Sequence, residues 1–254
     1  MPRPSQISRR GRLHRTMFAV DAVSFSRHRD PEVHRELRDA MYSIVRTACE
    51  ETGLPWPECH VEDRGDGILV IAPEDTDVEA VIDDLADALR RMLGAYNHVL
   101  ADPFRLRLRM AVSDGYVHLD GHGVIGGAVI HMFRLLDAPS FKREIGDRPG
   151  DLSLIVAAHL YEDVVQYATR LDPASFRPVT VSLKETFCHA WIRLSARSAS
   201  AAPDFAEPTA EDAAKDLLLL LGRSIAEGAL RRDPEPDGLR SALTAAIDQL
   251  LKLG

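Results

Sequence analysis

The sequence predicts an α+β sandwich, in which helices pack on a mainly antiparallel sheet. The apolar run at 17–20 (MFAV) is typical of a strand that is buried on both faces. The segment 61–71 (VEDRGDGILVI) is typical of a hairpin, because glycines flank Asp66 and an apolar strand follows them. Apolar residues at helical spacing follow each of these two segments, which predicts a helix after each strand segment. Strands and helices mixed along the chain in this way are typical of the α+β class.

Two helices are predicted from their start signals and their apolar periodicity. Asp30 and Pro31 suit the capping position and the first turn of a helix, and apolar residues recur at helical spacing over 33–48. A second helix is expected after the polar segment 73–77, with an apolar stripe over 78–92. The acidic residues on its opposite side are expected to be solvated.

The next segment, 104–112, alternates apolar residues with three arginines, which predicts a strand with one face in the core. Its arginine face could bind phosphate, contact a partner or form a solvated sheet edge. The sequence HLDGH at 118–122 is expected in a loop, and its spacing is too tight for the usual zinc sites.

The pair Gly126 and Gly127 is expected to open a third helix. Glycine at a helix N-terminus lets phosphate approach the backbone amides, so these two residues are candidate substrate-binding positions. The remaining predicted elements are a buried strand, a short helix and a closing hairpin, at Leu152–Ala157, 161–167, and 179–184 with 189–194.

Composition limits the classes of function. The chain has 254 residues, 45% hydrophobic and 28% charged, so it can bury a full core but is too polar for a membrane protein. Its net charge of -8 argues against nucleic-acid binding. The three cysteines are widely spaced and contain no CxxC pair, which fits a reducing cytoplasm. The arginine-rich start is not followed by an apolar core or cleavage site, so export is not expected.

Four regions are predicted along the chain. Residues 1–15 form a basic tail, 16–195 the main domain, and 196–209 a linker rich in Ala, Ser and Pro. Residues 210–254 are predicted to form a pair of helices. Two helices cannot bury their apolar faces alone, so we expect this pair to dock on the main domain or on a protein partner.

Two carboxylates are expected at neighbouring strand ends. Asp21 follows the buried run at 17–20, and a carboxylate there needs a cation or donors to offset its desolvation. Asp66 stands at the rim of the predicted hairpin. Carboxylates with exposed backbone carbonyls between them suit hard divalent ions such as Mg²⁺ or Mn²⁺.

Four segments in this order resemble the catalytic domain of class III nucleotide cyclases. They are FAVDAVSF, VEDRGDG, the segment 108–138 (LRMAVSDGYVHLDGHGVIGGAVIHMFRLLDA) and FRPVTVSLKETFCHAWI, and together they cover roughly residues 15 to 195. The resemblance implies a ferredoxin-like, cyclase-type sandwich, here with a C-terminal helical extension. It identifies the chain as a divergent bacterial member.

The resemblance also implies the roles of individual residues. Asp21, Asp66 and the Ala22 carbonyl would bind two Mg²⁺ or Mn²⁺ ions. Arg134 would stabilise the transition state, and Lys184 would contact the substrate phosphates. In this family the metal ligands come from one subunit and the Arg and Lys from the other, so a homodimer is expected.

Glu62 occupies a base-selecting position, where Glu is associated with guanine, and the second such position falls at Gly123. One departure concerns Ile130, which stands where the family usually has an Asn that orients the ribose. His131 would take that place if the register shifted by one residue. Loss of one such donor commonly costs about 100-fold in rate.

These features predict a nucleotidyl cyclase that converts a nucleoside triphosphate to a 3′,5′-cyclic mononucleotide and pyrophosphate for bacterial signalling. Cyclic GMP is the expected product from Glu62, and a pyrimidine product stays open. The alternative is a catalytically degenerate nucleotide-binding or regulatory module that acts through its C-terminal helices. A pure protein scaffold would fit if neither nucleotide nor metal binds.

Overall fold

The computed structural model describes residues 12–23, 31–100, 104–146 and 150–194. The chain divides into two units, Met1–Pro203 and Asp204–Gly254, and all of the described residues belong to the first. The predicted linker at 196–209 and the predicted helices at 210–254 lie outside the described residues, as does the predicted capping residue Asp30.

The described residues form an eight-stranded, mainly antiparallel sheet with helices packed on it, and the predicted α+β fold class is confirmed. The strands are β1 (Leu13–Ala22), β2 (His60–Asp63), β3 (Gly67–Ile71), β4 (Leu108–Asp120), β5 (Gly123–Ile125), β6 (Leu152–Ala157), β7 (Arg177–Leu183) and β8 (Thr186–Leu194). Their spatial order is β2-β3-β1-β4-β6-β8-β7, and β5 pairs with the end of β4. Only the β4–β6 pair among them is parallel.

Helices cover both faces of this sheet. They are α1 (Pro31–Glu51), α2 (Val78–Ala80), α3 (Ala86–His98), α4 (Gly127–Leu136), α5 (Pro139–Ile145) and α6 (Ala158–Asp163). A π-helical segment, Val81–Leu85, joins α2 to α3, and the Asp77 carboxylate caps α2 by accepting from the Glu79 amide. Of the described residues, no helix is long and apolar enough to span a bilayer.

Strand β1 separates the two halves of the core, which explains its continuous apolar run. Phe18 and Val20 belong to the cluster that also contains the apolar faces of α1 and α3. Met17 and Ala19 belong to the opposite cluster, with the apolar residues of α4 and α5. Each of these four residues is at most 1% exposed, so both faces of β1 are covered, as the sequence predicts.

Several boundaries differ from the predicted ones. Strand β1 begins at Leu13 and pairs with β4, so Arg15 belongs to the sheet rather than to a tail, and its guanidinium lies 3.1 Å from the Glu74 carboxylate. The segment 118–122 is the β4–β5 hairpin instead of an irregular loop. Helix α5 has no counterpart among the predicted elements, because its seven residues are too few to show a periodicity.

The acidic side of α2–α3 also differs from the prediction. The Asp83 carboxylate is 17% exposed and lies 3.4 Å from the guanidinium of Arg193 on β8. Arg170 pairs with Asp84 at 3.1 Å. Asp83 is therefore largely covered by an arginine distant in sequence, whereas the side chains of Asp84 and Asp87 are 40% and 54% exposed and remain partly solvated.

Candidate active site

The two carboxylates singled out in the sequence lie at the same end of the sheet. Asp21 is opposite Gly67 of β3, and the Ala22 amide donates to the Asp66 carbonyl at 2.9 Å. A Cβ on Gly67 would lie 2.5 Å from the Val20 carbonyl oxygen, so glycine lets β3 approach β1 here. Ala22 itself is buried, and Asp66 is exposed in the β2–β3 turn.

The Asp21 carboxylate is paired with Arg109 of β4. Arg109 Nε donates to Oδ1 at 2.8 Å and Nη2 donates to Oδ2 at 2.5 Å, and both side chains are less than 15% exposed. Burial raises the pKa of Asp21 to about 6, although Arg109 lowers it; the charges of Asp66 and Asp137 add to the rise. Strand β4 is central, so Arg109 does not belong to a solvated sheet edge.

These residues fit a divalent ion that is held largely by its substrate. Among the described residues there is no group of three or more His, Cys, Asp or Glu side chains that could hold a metal ion by themselves. Mg²⁺ commonly uses one or two carboxylates and completes its coordination with water and phosphate oxygens. Asp21 and Asp66 provide that number of carboxylates, provided that Arg109 releases at least one oxygen of Asp21.

A second group of predicted residues meets around helix α4. Gly126 precedes α4, and a Cβ there would lie 2.7 Å from the Tyr116 carbonyl oxygen; Gly127 begins the helix and is exposed. Arg134, in the last turn of α4, donates from Nη1 to Thr186 Oγ1 at 2.6 Å and from Nη2 to Glu185 Oε2 at 2.5 Å. The helix is thereby tied to the β7–β8 turn that carries Lys184.

These elements enclose an open cleft of about 630 Å³. Its lining residues are Arg64, Val124, Ile125, Gly126, Val129, Ile130, Phe133, Arg134, Asp137, Lys142, Leu183 and Lys184. The cleft therefore contains four basic side chains and one carboxylate, beside apolar walls. Asp21 and Asp66 are not among the lining residues.

Glu62 is held next to this cleft by three donors. Its Oε1 accepts from the Val124 amide at 2.7 Å and lies 2.8 Å from His60 Nε2, while Oε2 accepts from Arg64 Nη2 at 2.5 Å. Burial alone would raise the pKa of Glu62, but these hydrogen bonds and the Arg64 charge outweigh it and lower that pKa. Gly123 makes this possible, since a Cβ there would lie 2.5 Å from Oε1.

Ile130 and His131 take different positions on α4. Ile130 lines the cleft, is 54% exposed, and stands one helical turn before Arg134. His131 is half-buried and is not a lining residue; burial lowers its pKa, and the charges of His159 and Arg134 lower it further. The structure thus gives no support to His131 as the replacement for the missing donor.

Three basic residues of the site were not singled out by sequence reasoning. Arg109 appeared only as one of three alternating arginines in the predicted strand 104–112, and nothing local distinguished it from Arg105 and Arg107. Arg64 stands beside Gly65 in the predicted hairpin, and Lys142 lies on the helix that was not predicted. Their importance depends on which segments meet in space.

No protein-family model and no curated protein matches this sequence. Among solved structures, an adenylate/guanylate cyclase/hydrolase from Silicibacter pomeroyi superposes with a TM-score of 0.53 at 16% identity, over 77% of this chain and 99% of the other. The guanylyl cyclase Cya2 gives a TM-score of 0.50 at 16% identity, over 77% and 98% of the two chains.

A bacterial light-regulated adenylyl cyclase gives a TM-score of 0.50 at 14% identity, over 84% of this chain and 99% of the other. The resemblance to nucleotide cyclase catalytic domains is therefore confirmed in the fold. Identities this low are those of a divergent chain, and they show the fold alone.

Proposed function

We propose that this chain is a nucleotidyl cyclase that converts a nucleoside triphosphate to a 3′,5′-cyclic mononucleotide and pyrophosphate. The observation that carries the proposal is the cleft in which Arg134 and Lys184, fifty residues apart on a cyclase-type fold, face the same space. Its volume of about 630 Å³ falls within the range of small-molecule sites.

Asp21, Asp66 and the Ala22 carbonyl would hold two Mg²⁺ or Mn²⁺ ions. When bound, such ions lower the pKa of the attacking 3′-hydroxyl group and offset charge on the reacting phosphate. Asp21 must be ionised to serve as a ligand, and its raised pKa means that it ionises only near pH 6. Arg109, which donates to both oxygens of this carboxylate, has to move away from at least one of them.

Arg134 and Lys184 would bind the phosphates and the departing pyrophosphate. Donors already aimed at the position where charge develops lower the barrier without reorganisation. Arg134 is positioned by Thr186 and by Glu185, whose side chain is 79% exposed and can yield to a phosphate. Lys184 has a left-handed backbone conformation, with φ of 53°, and its side chain lines the cleft.

The site would be completed by a second copy of the chain. Asp21 and Asp66 lie outside the residues that line the cleft with Arg134 and Lys184, which supports a homodimer that joins the carboxylates of one copy to the cations of the other. A mixture of Asp21→Ala and Arg134→Ala proteins, each inactive alone, is then expected to recover activity. No recovery after subunit exchange would contradict the shared site.

A second candidate is a cyclase-like module that binds nucleotide without turnover. Two observations favour it: the cleft presents the apolar side chain of Ile130 where a donor would be useful, and Arg109 occupies both oxygens of Asp21. Nucleotide binding without a cyclic product is the result that this candidate predicts.

The test is a product assay of the purified chain with each of the four nucleoside triphosphates and Mn²⁺ or Mg²⁺, read by mass spectrometry. We expect one cyclic mononucleotide, and we expect it to disappear in the Asp21→Ala/Asp66→Ala double variant. The product also names the base. Absence of any cyclic product from a folded dimer would reject the cyclase.

A further inference from the structure

Arg64 lines the cleft and contacts Glu62 and Phe133. Its amide donates to the Gly67 carbonyl at 2.9 Å within the β2–β3 turn, where Gly65 has a φ of 84°. Its guanidinium lies 5.1 Å from the centre of the Phe133 ring and donates to Glu62 through Nη2. A guanidinium has five N–H donors, so this arrangement leaves several for a ligand in the cleft.

Lys142 approaches the same cleft from α5. Its Nζ lies 3.0 Å from Asp137 Oδ1, and the two side chains are 45% and 58% exposed. Asp137 is the only carboxylate among the lining residues. An exposed ion pair of this kind contributes little and is easily exchanged for a more highly charged anion.

The charge of the cleft indicates what it binds. Four cations line it, and three of them pair with carboxylates: Arg64 with Glu62, Arg134 with Glu185 and Lys142 with Asp137. The side chains of Glu185 and Asp137 are 79% and 58% exposed, so they can move away from their cations, whereas Glu62 is 19% exposed and stays in place. Such clefts concentrate anionic ligands. A ligand that displaces Glu185 and Asp137 must itself compensate several cations, which a polyphosphate does and a carboxylate or a single phosphate does not.

We propose that Arg64 and Lys142 are polyphosphate-binding residues which, with Arg134 and Lys184, bind the pyrophosphate portion of a nucleoside triphosphate. All four cations line one cleft of one protomer, so we expect pyrophosphate to bind there without a metal ion. The inference rests on the proposed function for the identity of its ligand. It adds two residues to those implied by the cyclase resemblance.

The test is calorimetric titration of the full chain with inorganic pyrophosphate, in the presence of a chelator. Arg64→Met and Lys142→Met remove the charge and keep most of the side-chain volume. Hydrogen bonds to charged groups contribute about 1.5–3 kcal/mol, so each variant should bind pyrophosphate about tenfold to a hundredfold more weakly.

Arg90→Met is the matched control. Arg90 is a half-exposed residue of α3 that pairs with Asp87 at 3.6 Å, as Lys142 pairs with Asp137, but it does not line the cleft. Its substitution should leave the pyrophosphate affinity within about twofold of the original, as for most surface changes. If Arg64→Met loosens the hairpin, which thermal unfolding would show, the exposed Lys142 still provides the test.

A non-hydrolysable nucleoside triphosphate should compete with pyrophosphate. Independent binding of the two, or unchanged affinity in both Arg64→Met and Lys142→Met, would overturn the inference. The test of this inference and the test of the proposed cyclase activity can fail separately. A cyclic product with unchanged pyrophosphate affinity in the variants would reject the inference alone; tight, Arg64-dependent pyrophosphate binding with no cyclic product would reject the cyclase alone.

Discussion

The carboxylate of Asp21 and the guanidinium of Arg109 form a two-point ion pair across adjacent strands, with contacts of 2.8 and 2.5 Å. The pair joins residues 88 positions apart and lies at the sheet end that Asp66 also approaches. Its two members are nearly buried, so each is the main compensation for the charge of the other.

Arg109→Met is expected to raise the pKa of Asp21 above about 6, because the arginine lowers that pKa against the effect of burial. The measurement is a ¹³C NMR titration of the Asp21 carboxyl, assigned with Asp21→Asn. Arg107→Met, two residues before Arg109 and immediately before β4, is the control. A fall in the Asp21 pKa in Arg109→Met would contradict the attribution.

The same carboxyl should make stability depend on pH. The folded-state pKa of about 6 lies above the ordinary value of 3.8, so the folded protein binds the proton more tightly than the unfolded chain does. Stability from this group is therefore lost as the pH rises from about 4 to about 6, by roughly 3 kcal/mol in the limit. The free energy of unfolding, measured with denaturant at several pH values, should fall more steeply with pH in the original protein than in Asp21→Asn over that window. Equal dependence on pH in the two proteins would contradict the prediction.

Gly123→Ala should destabilise the fold through Glu62. The new Cβ would lie 2.5 Å from Glu62 Oε1, and Gly123 has a φ of 123°, which side-chain-bearing residues rarely adopt. Displacing Glu62 breaks its bond with the Val124 amide, and the combined cost is about 2–4 kcal/mol. Urea unfolding measures it. Gly121→Ala in the same hairpin is the control, because a Cβ there meets nothing within 4 Å.

Ile130→Asn should increase turnover, if the cleft is the catalytic one. Ile130 is 54% exposed, so Asn costs little stability and places an amide one turn before Arg134. A restored donor of this kind commonly contributes about 100-fold in rate. Initial rates of cyclic nucleotide formation measure the effect. Ile125→Asn, at a 61% exposed lining position on β5, is the control. An equal gain in both variants, or none in Ile130→Asn, would count against the alignment.

The hydrogen bond between His159 of α6 and Asp114 of β4 should make the stability of the fold depend on pH. A hydrogen bond between them raises the pKa of His159, helped by Asp163 and Glu162, and lowers the pKa of Asp114, helped by His14. The stability contributed by His159 is complete below pH 6.5 and is lost as the pH rises through the raised pKa of His159. The stability contributed by Asp114 is lost only as the pH falls below 3.8. His159→Gln should therefore abolish a fall in melting temperature above pH 6.5.

The exposed His118 on the β4–β5 hairpin supplies the control for this pair. His118→Gln should leave the dependence of the melting temperature on pH unchanged. If His159→Gln also leaves this dependence unchanged, the hydrogen bond between His159 and Asp114 does not stabilise the fold.

Local pattern was enough to predict most of the elements. Continuous apolar sequence at 17–20 identified a strand covered on both faces, and the pair Gly126-Gly127 marked the start of α4. The hairpin around Asp66 has its turn at Arg64–Asp66 and its second strand from Gly67. These features depend on neighbours along the chain, which the sequence displays directly.

Partners distant in sequence could not be predicted in this way. The alternation at 104–112 predicted that Arg109 lies on the opposite face of its strand from the apolar residues. The order of the strands, which the alternation does not contain, makes β4 central and places Arg109 against Asp21. Arg193 is likewise 110 residues from Asp83, the acid that it covers. A side chain's partner depends on sheet order, which a local pattern does not contain.

The sequence by itself determined the fold class and the strand-end positions of the two carboxylates, because apolar periodicity and glycine-rich turns act over a few residues. Only the tertiary structure decided that Arg109 covers Asp21, that Glu62 is already bound by three donors, and that Arg64 and Lys142 join Arg134 and Lys184 in one cleft. Charges of four separate segments combine only when the sheet brings those segments together, and that is a property of packing.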